Sequence, residues 1–155
     1  IADFNRYRSE APQKLEQVAD RFILKIYSFD KDNPLDFSWL VKAVLNDLQK
    51  GVPRSEIASA FHRTYAAMWC VELAKQAVRQ KLSRVVLCGG VFQNKLLVDI
   101  LMPMLRQLGL QPYLPASVPC NDAGIAVGQM AVTAAWIEQS MNHNDKRHAR
   151  VVVGL

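Results

Sequence analysis

The run Arg84-Val85-Val86-Leu87-Cys88-Gly89-Gly90-Val91-Phe92-Gln93-Asn94 limits what this chain can fold into more than any other part of it. A short β-branched segment stops at a pair of glycines, and an apolar pattern of helical period begins after Asn94. That order reads as a strand, a bare-backbone turn and a helix start. Glycine has no Cβ, so such a turn admits a close approach by a ligand. The helix beyond is expected to offer unpaired N–H groups and the positive end of its dipole to a phosphate. A second polar loop, Pro119-Cys120-Asn121-Asp122-Ala123-Gly124, also opens an apolar helix. Two such loops at the carboxyl ends of neighbouring strands would border one cleft.

The rest of the chain is read around this unit. Leu15, Val18, Ala19, Phe22, Ile23 and Ile26 have the spacing of one buried helix face, beginning near Ala11-Pro12. Phe37, Leu40, Val41, Val44, Leu45 and Leu48 repeat it, with Asp36 or Ser38 as cap and Gly51 as stop. A third, longer helix opens at Pro53 and would turn Ile57, Ala60, Phe61, Thr64, Met68, Val71, Ala74 and Val78 inward. Val85 to Leu87 is expected to be a buried strand. Leu97 to Leu108 forms a helix ended by Gly109, and Gln111 to Leu114 a second strand. A connection of that length requires parallel pairing. Residues from Asp122 to Gln139 make a last helix whose small residues would let it pack closely on the sheet. Two strands cover so many apolar helices poorly, so further strands are expected on other chain or on a partner. Val151 to Val153 would add an edge strand.

Composition narrows the function classes. The chain has 155 residues, half of them hydrophobic and 21% charged, which fits one globular domain with a real core. The net charge of +5 is scattered apart from the cluster Lys146-Arg147-His148-Ala149-Arg150, so nucleic acid is disfavoured as a partner. Cys70, Cys88 and Cys120 lack metal-ligand spacing and are expected to be reduced thiols in a cytoplasmic protein. No membrane span or signal peptide is expected. The chain begins at Ile1, not Met, and is expected to be part of something longer.

The chemistry-bearing residues each have a plain structural reading. Gly89-Gly90 serves equally as a tight turn, and Asn121-Asp122 as a helix cap. His62 beside Phe61 reads as a packing residue, and His143 and His148 receive no role. Trp39, Trp69 and Trp136 read as core or interface. The phosphate-loop and dinucleotide glycine signatures are absent. Asn94 would place an amide against a base or ribose edge. Asp122 would set a carboxylate at the cleft mouth, free to bind a metal if further ligands exist.

The string from Val85 to Leu97 resembles the glycine loop of the hydrogenase-maturation carbamoyltransferases, the HypF family, and Pro119 to Gln129 is similar to that family's P-x-N-D-G-G-x-A-x-G-Q pattern. Ser9 to Glu16 and Ala60-Phe61-His62 match as well, so the resemblance spans roughly residues 7–139. It implies an α/β fold, the helix-rich second lobe of an actin/sugar-kinase/Hsp70-like (ASKHA) ATP-binding fold, with a short parallel strand pair in this chain. It implies a division into a lobe at 1–140, with a helical part at 1–82 and a nucleotide-binding part at 83–140, followed by a polar, basic tail at 141–155. The implied activity is a carbamoyltransferase. It makes or uses carbamoyl-adenylate from carbamoyl phosphate and ATP, and passes the carbamoyl group to the terminal cysteine of an acceptor protein in [NiFe] hydrogenase maturation. By motif, Gly89, Gly90 and Asn94 would lie at the nucleotide and Asp122 would help hold a divalent metal ion. Ala123 replaces the first glycine of the family's pair, a change that keeps the turn only if φ is negative there. The family's paired metal-binding histidines belong to the preceding lobe, and no H-x-x-x-H occurs here. An isolated fragment of this kind would be inactive and prone to self-association. Two alternatives remain open: a non-enzymatic helical interaction module, and a relative that forms threonylcarbamoyl-adenosine in tRNA.

Overall fold

The computed structural model describes residues 10–142, in backbone only from 139 onward. The basic cluster, His143, His148 and the edge strand proposed at 151–153 lie outside these residues. In chain order the elements are α1 (Glu10–Val18), α2 (Ser38–Gln49), α3 (Arg54–Gln80), β1 (Arg84–Val86), a 3₁₀ turn (Gly90–Gln93), α4 (Lys95–Gln107), β2 (Gln111–Tyr113) and α5 (Ala123–Asn142).

β1 and β2 pair in parallel, with Arg84 opposite Gln111, Val85 opposite Pro112 and Val86 opposite Tyr113. α4 makes the crossover between them. Its inner face, Leu96, Leu97, Ile100, Leu101 and Leu105, packs with Leu87 and Leu110 against Ala66 and Cys70 of α3. The helical and the strand–helix–strand parts of the chain therefore share a core. A second core, Tyr27, Leu40, Ala60 and Met68, joins α2 to α3. α3 is the central element, which is why small residues such as Ala58, Ala60, Ala66 and Ala67 recur on it and are buried.

The helix stops follow the sequence closely. Gly51 has φ 73°, and Val52 and Gly51 donate to the carbonyls of Asp47 and Leu48 at the end of α2. Gly109, at φ 77°, closes α4 in the same way. Both are Schellman-type ends, in which a left-handed residue lets late N–H groups reach back to the last turn. At the start of α2, Asp36 accepts from Ser38 N–H at 2.9 Å.

Five expectations are corrected. α1 stops at Val18, and residues 23–30 run extended along α3. Their inward residues, Ile23, Lys25 and Tyr27, alternate with exposed Phe22, Leu24 and Ile26. The period is therefore two, although the same residues also fit a helical spacing. Side chains of α3 hold this segment: Arg63 donates to the Ile23 and Arg21 carbonyls, and Thr64 accepts from Tyr27 N–H at 2.9 Å. On α2 only Leu40 of the expected apolar face is fully buried, whereas Val41 and Leu45 are more than half exposed. On α3, Val78 is exposed, and β1 is half-exposed because nothing described here covers its outer side. Finally, α5 does not pack on the sheet: Ile125, Val127, Met130, Val132, Trp136 and Ile137 are all exposed. Among the described residues no helix is long and apolar enough to cross a membrane.

Candidate functional site

At the end of β1 the chain makes the turn its sequence requires. Gly89 has φ 107° and ψ 159°, a region open in practice only to glycine. Its N–H donates to the Cys120 carbonyl, which fastens the first polar loop to the second. Gly90 then starts the 3₁₀ turn, with Phe92 N–H donating to the Gly89 carbonyl at 3.1 Å and Asn94 N–H to that of Val91 at 3.1 Å. The first N–H groups of such a turn, those of Gly90 and Val91, have no partner within it.

Asn94 caps α4: its Oδ1 accepts from Leu97 N–H at 2.8 Å. Glu16, reaching across from α1, accepts from Leu96 N–H at 3.0 Å. Two N–H groups at the terminus of α4 are therefore already taken, one of them by a carboxylate, whose negative charge opposes a phosphate at the same place. The expectation that phosphate sits on α4 gives way to this. The N–H groups of Gly90 and Val91, one step earlier, have no such partner among the described residues. The other end of the Asn94 amide meets His62, with Nδ2 2.9 Å from Nε2.

The four residues singled out by motif fall in two neighbouring depressions. Gly89 and Asp122 border one of about 380 Å³, together with Cys88, Cys120 and Asn121. Gly90 and Asn94 border another of about 320 Å³, together with Gln13, Glu16 and Gln93. Neither is lined by a lysine or arginine. A third hollow of about 300 Å³ between α3 and β1 is apolar, with Tyr65, Trp69, Val86 and Phe92 on its walls.

Asp122 does not cap α5; Asn121 does, accepting from Ala123 N–H at 3.1 Å. The Asp122 side chain is exposed. Ala123 is not among the residues of positive φ, so it sits in the turn without strain, as the substitution demands. Gly124 is the residue that cannot change freely: a Cβ there would lie 2.5 Å from the Pro119 carbonyl oxygen. No group of three or more His, Cys, Asp or Glu among the described residues is placed to hold a metal ion. Asp122 by itself makes no cation site. The cysteines are free thiols, Cys70 buried and Cys88 exposed, and burial pushes the Cys70 thiol up to about 11.

Two residues at this site escaped the reading of the sequence. Glu16 and His62 both lie in the short helical stretches that resembled the family, yet an isolated acid and an isolated histidine carry no signal of what they hold. Their partners are far away in the chain, at Leu96 and Asn94.

Comparison with known proteins places the arrangement. The family described as Carbamoyltransferase, Kae1-like Domain, second subdomain, matches residues 1–129. Carbamoyltransferase HypF of Rhizobium leguminosarum bv. viciae is 35% identical over 128 residues, covering 81% of this chain and 16% of that protein. A probable bifunctional tRNA threonylcarbamoyladenosine biosynthesis protein of Methanobrevibacter smithii is 28% identical over 103 residues, covering 66% of this chain and 19% of that protein. The solved structure of full-length HypF in its phosphate- and nucleotide-bound form superposes with a TM-score of 0.72 at 26% identity, covering 86% of this chain and 18% of that one. The chain therefore spans less than a fifth of the HypF proteins just named. Its helix-rich body and parallel strand pair are those of an ASKHA-type lobe. The chain belongs to the HypF carbamoyltransferase family, in which it corresponds to the second subdomain of the Kae1-like domain.

Proposed function

We propose that this chain forms one wall of an ATP-binding cleft in a cytoplasmic carbamoyltransferase, with Gly89, Gly90 and Asn94 against the nucleotide. The observation that carries the reading is the turn itself. Gly89 adopts a glycine-only conformation, and a Cβ built on Gly90 meets nothing within 4 Å. Among the described residues nothing packs where a Gly90 side chain would lie, and its N–H is the first of the 3₁₀ turn. The depression beside it combines side-chain amides with one carboxylate and no cation, a lining suited to hydroxyls and base edges. The phosphates would then lie toward Gly89 and the Asp122 loop.

In this reading Asp122 contributes one oxygen to a divalent ion whose other ligands lie outside these residues. The substrates are carbamoyl phosphate and ATP, and the carbamoyl group passes by way of carbamoyl-adenylate to the terminal cysteine of an acceptor protein in [NiFe] hydrogenase maturation. The contribution of this chain is to hold and orient the nucleotide, which supplies rate by positioning. The wall alone is inactive. The higher identity to HypF than to the tRNA-modifying relative favours the hydrogenase pathway.

Cys88 gives the test. It is exposed and borders the same depression as Gly89 and Asp122. In the natural polypeptide, ATP with magnesium is expected to slow alkylation of Cys88, and Asp122→Ala to weaken that protection, while buried Cys70 stays silent throughout. Saturating ATP, verified by calorimetry, with Cys88 still reacting at its free rate would refute this placement of the nucleotide.

A further inference from the structure

His62 lies on the inner side of α3, only 4% exposed, with both ring nitrogens engaged. Nδ1 is 2.8 Å from the Ala58 carbonyl oxygen, which can only accept, so Nδ1 carries the proton and Nε2 presents a lone pair. Facing that lone pair at 2.9 Å is Nδ2 of Asn94. The Asn94 amide is fixed at its other end as well, because Oδ1 accepts from Leu97 N–H at 2.8 Å. Ring tautomer and amide orientation therefore specify each other. Rotating the amide would set its NH₂ against Leu97 N–H and its oxygen against the imidazole lone pair. Both contacts would be repulsive in a part-buried place, where unpaired polar groups are costly.

We propose that His62 is a positioning residue for nucleotide binding: by accepting from Asn94 Nδ2, it fixes the amide so that the cleft meets a hydrogen-bond donor. Without it, the Leu97 N–H bond alone holds the amide, and the NH₂ end has no anchor. With it, the second Nδ2–H remains uncommitted, matched to an acceptor such as a ribose or base oxygen or nitrogen. The inference rests on the nucleotide reading above and adds to it the sense of the hydrogen bond.

The arrangement depends on protonation. The groups around the ring are Glu16 on α1, Asn94 at the start of α4, and the Ala58 carbonyl and Phe61 ring on α3; of these Glu16 alone is charged. Burial depresses the His62 pKa below its ordinary 6.5 and outweighs the Ala58 carbonyl and the Glu16 carboxylate, which both favour the proton. The neutral ring thus prevails near neutrality. Acid would place a second N–H against the Asn94 NH₂ and release the amide.

Calorimetric titration of ATP into the natural polypeptide, as wild type and three variants across pH, tests this. A glutamine at 62 places an acceptor where Nε2 lay; an asparagine keeps only the Ala58 side of the ring; a methionine keeps neither bond. His62→Met and His62→Asn are expected to weaken ATP up to about tenfold, the worth of one misdirected hydrogen bond. His62→Gln is expected to restore most of that loss. The wild type is expected to lose affinity as pH falls below 6.5, and His62→Gln, which does not titrate, to lose this acid limb. Should a variant fail to fold, the acid limb of wild type against His62→Gln still decides the matter. Asparagine or methionine variants that bind like wild type, or an acid limb that survives in His62→Gln, overturn the proposal. Absence of any heat in the wild type ends the nucleotide reading, and this inference with it.

Discussion

A methyl group added at Gly89 meets no atom within 4 Å, yet the backbone there stands at φ 107°. Its neighbour Gly90 has the same open space and no such angle. The two are thus required for different reasons. Gly89→Ala is expected to lower stability by about 1–3 kcal/mol through backbone strain alone, read as a fall in thermal midpoint. Gly90→Ala is expected to leave the midpoint in place, since nothing among the described residues meets that carbon, and, on the proposed nucleotide placement, to weaken ATP. A shared loss of stability would show that Gly90 is structural. The glycine pair, Asn94 and Asp122 could be picked out in the sequence because a sharp texture change surrounds them. Glu16 and His62 could not, since their meaning lies in contacts with residues 80 and 32 positions away.

At the level of the element, the extended stretch beside α3 is held by charge as well as by backbone bonds. Lys25 reaches Asp47 at 2.9 Å and Glu56 at 3.0 Å, and Tyr27 Oη donates to Asp47 at 2.9 Å. The Lys25 and Tyr27 bonds hold the Asp47 carboxyl below its ordinary 3.8, while burial, followed by the Asp47 bond, pushes Tyr27 up to about 12. Because the folded Asp47 binds its proton less readily than the unfolded one, its contribution is present above 3.8 and lost as pH falls from there. Asp47→Asn is expected to lower the thermal midpoint at neutral pH and to flatten its decline in acid; an unchanged acid limb would remove Asp47 from the account. None of this was legible in the sequence. The β-branched and aromatic residues from Phe22 to Tyr27 fit a helical spacing and an alternating one equally, and only the side chains of α3, Arg63 as donor and Thr64 as acceptor among them, settle which is adopted. The helix ends at Gly51 and Gly109 were legible, because a left-handed stop is a local property of the chain.

Across the whole molecule, apolar surface is left open on several sides: Phe22, Leu24 and Ile26 on the extended stretch, Val41 and Leu45 on α2, and much of α5. Exposed apolar side chains in this number favour contact with other protein. Produced alone, the 17.5 kDa chain is expected to sediment above its monomer mass, increasingly so with concentration. A single monomeric boundary at high concentration would contradict that. Two strands cover the helices of this chain poorly, and among the described residues the outer side of β1 and much of α5 are exposed. The place of α5 was not legible in the sequence, because small residues suited to close packing do not say which surface they meet. The bond from Gly89 N–H to the Cys120 carbonyl has a mechanical corollary. It couples the two polar loops, so displacing one without the other breaks that bond at a cost of about 1 kcal/mol.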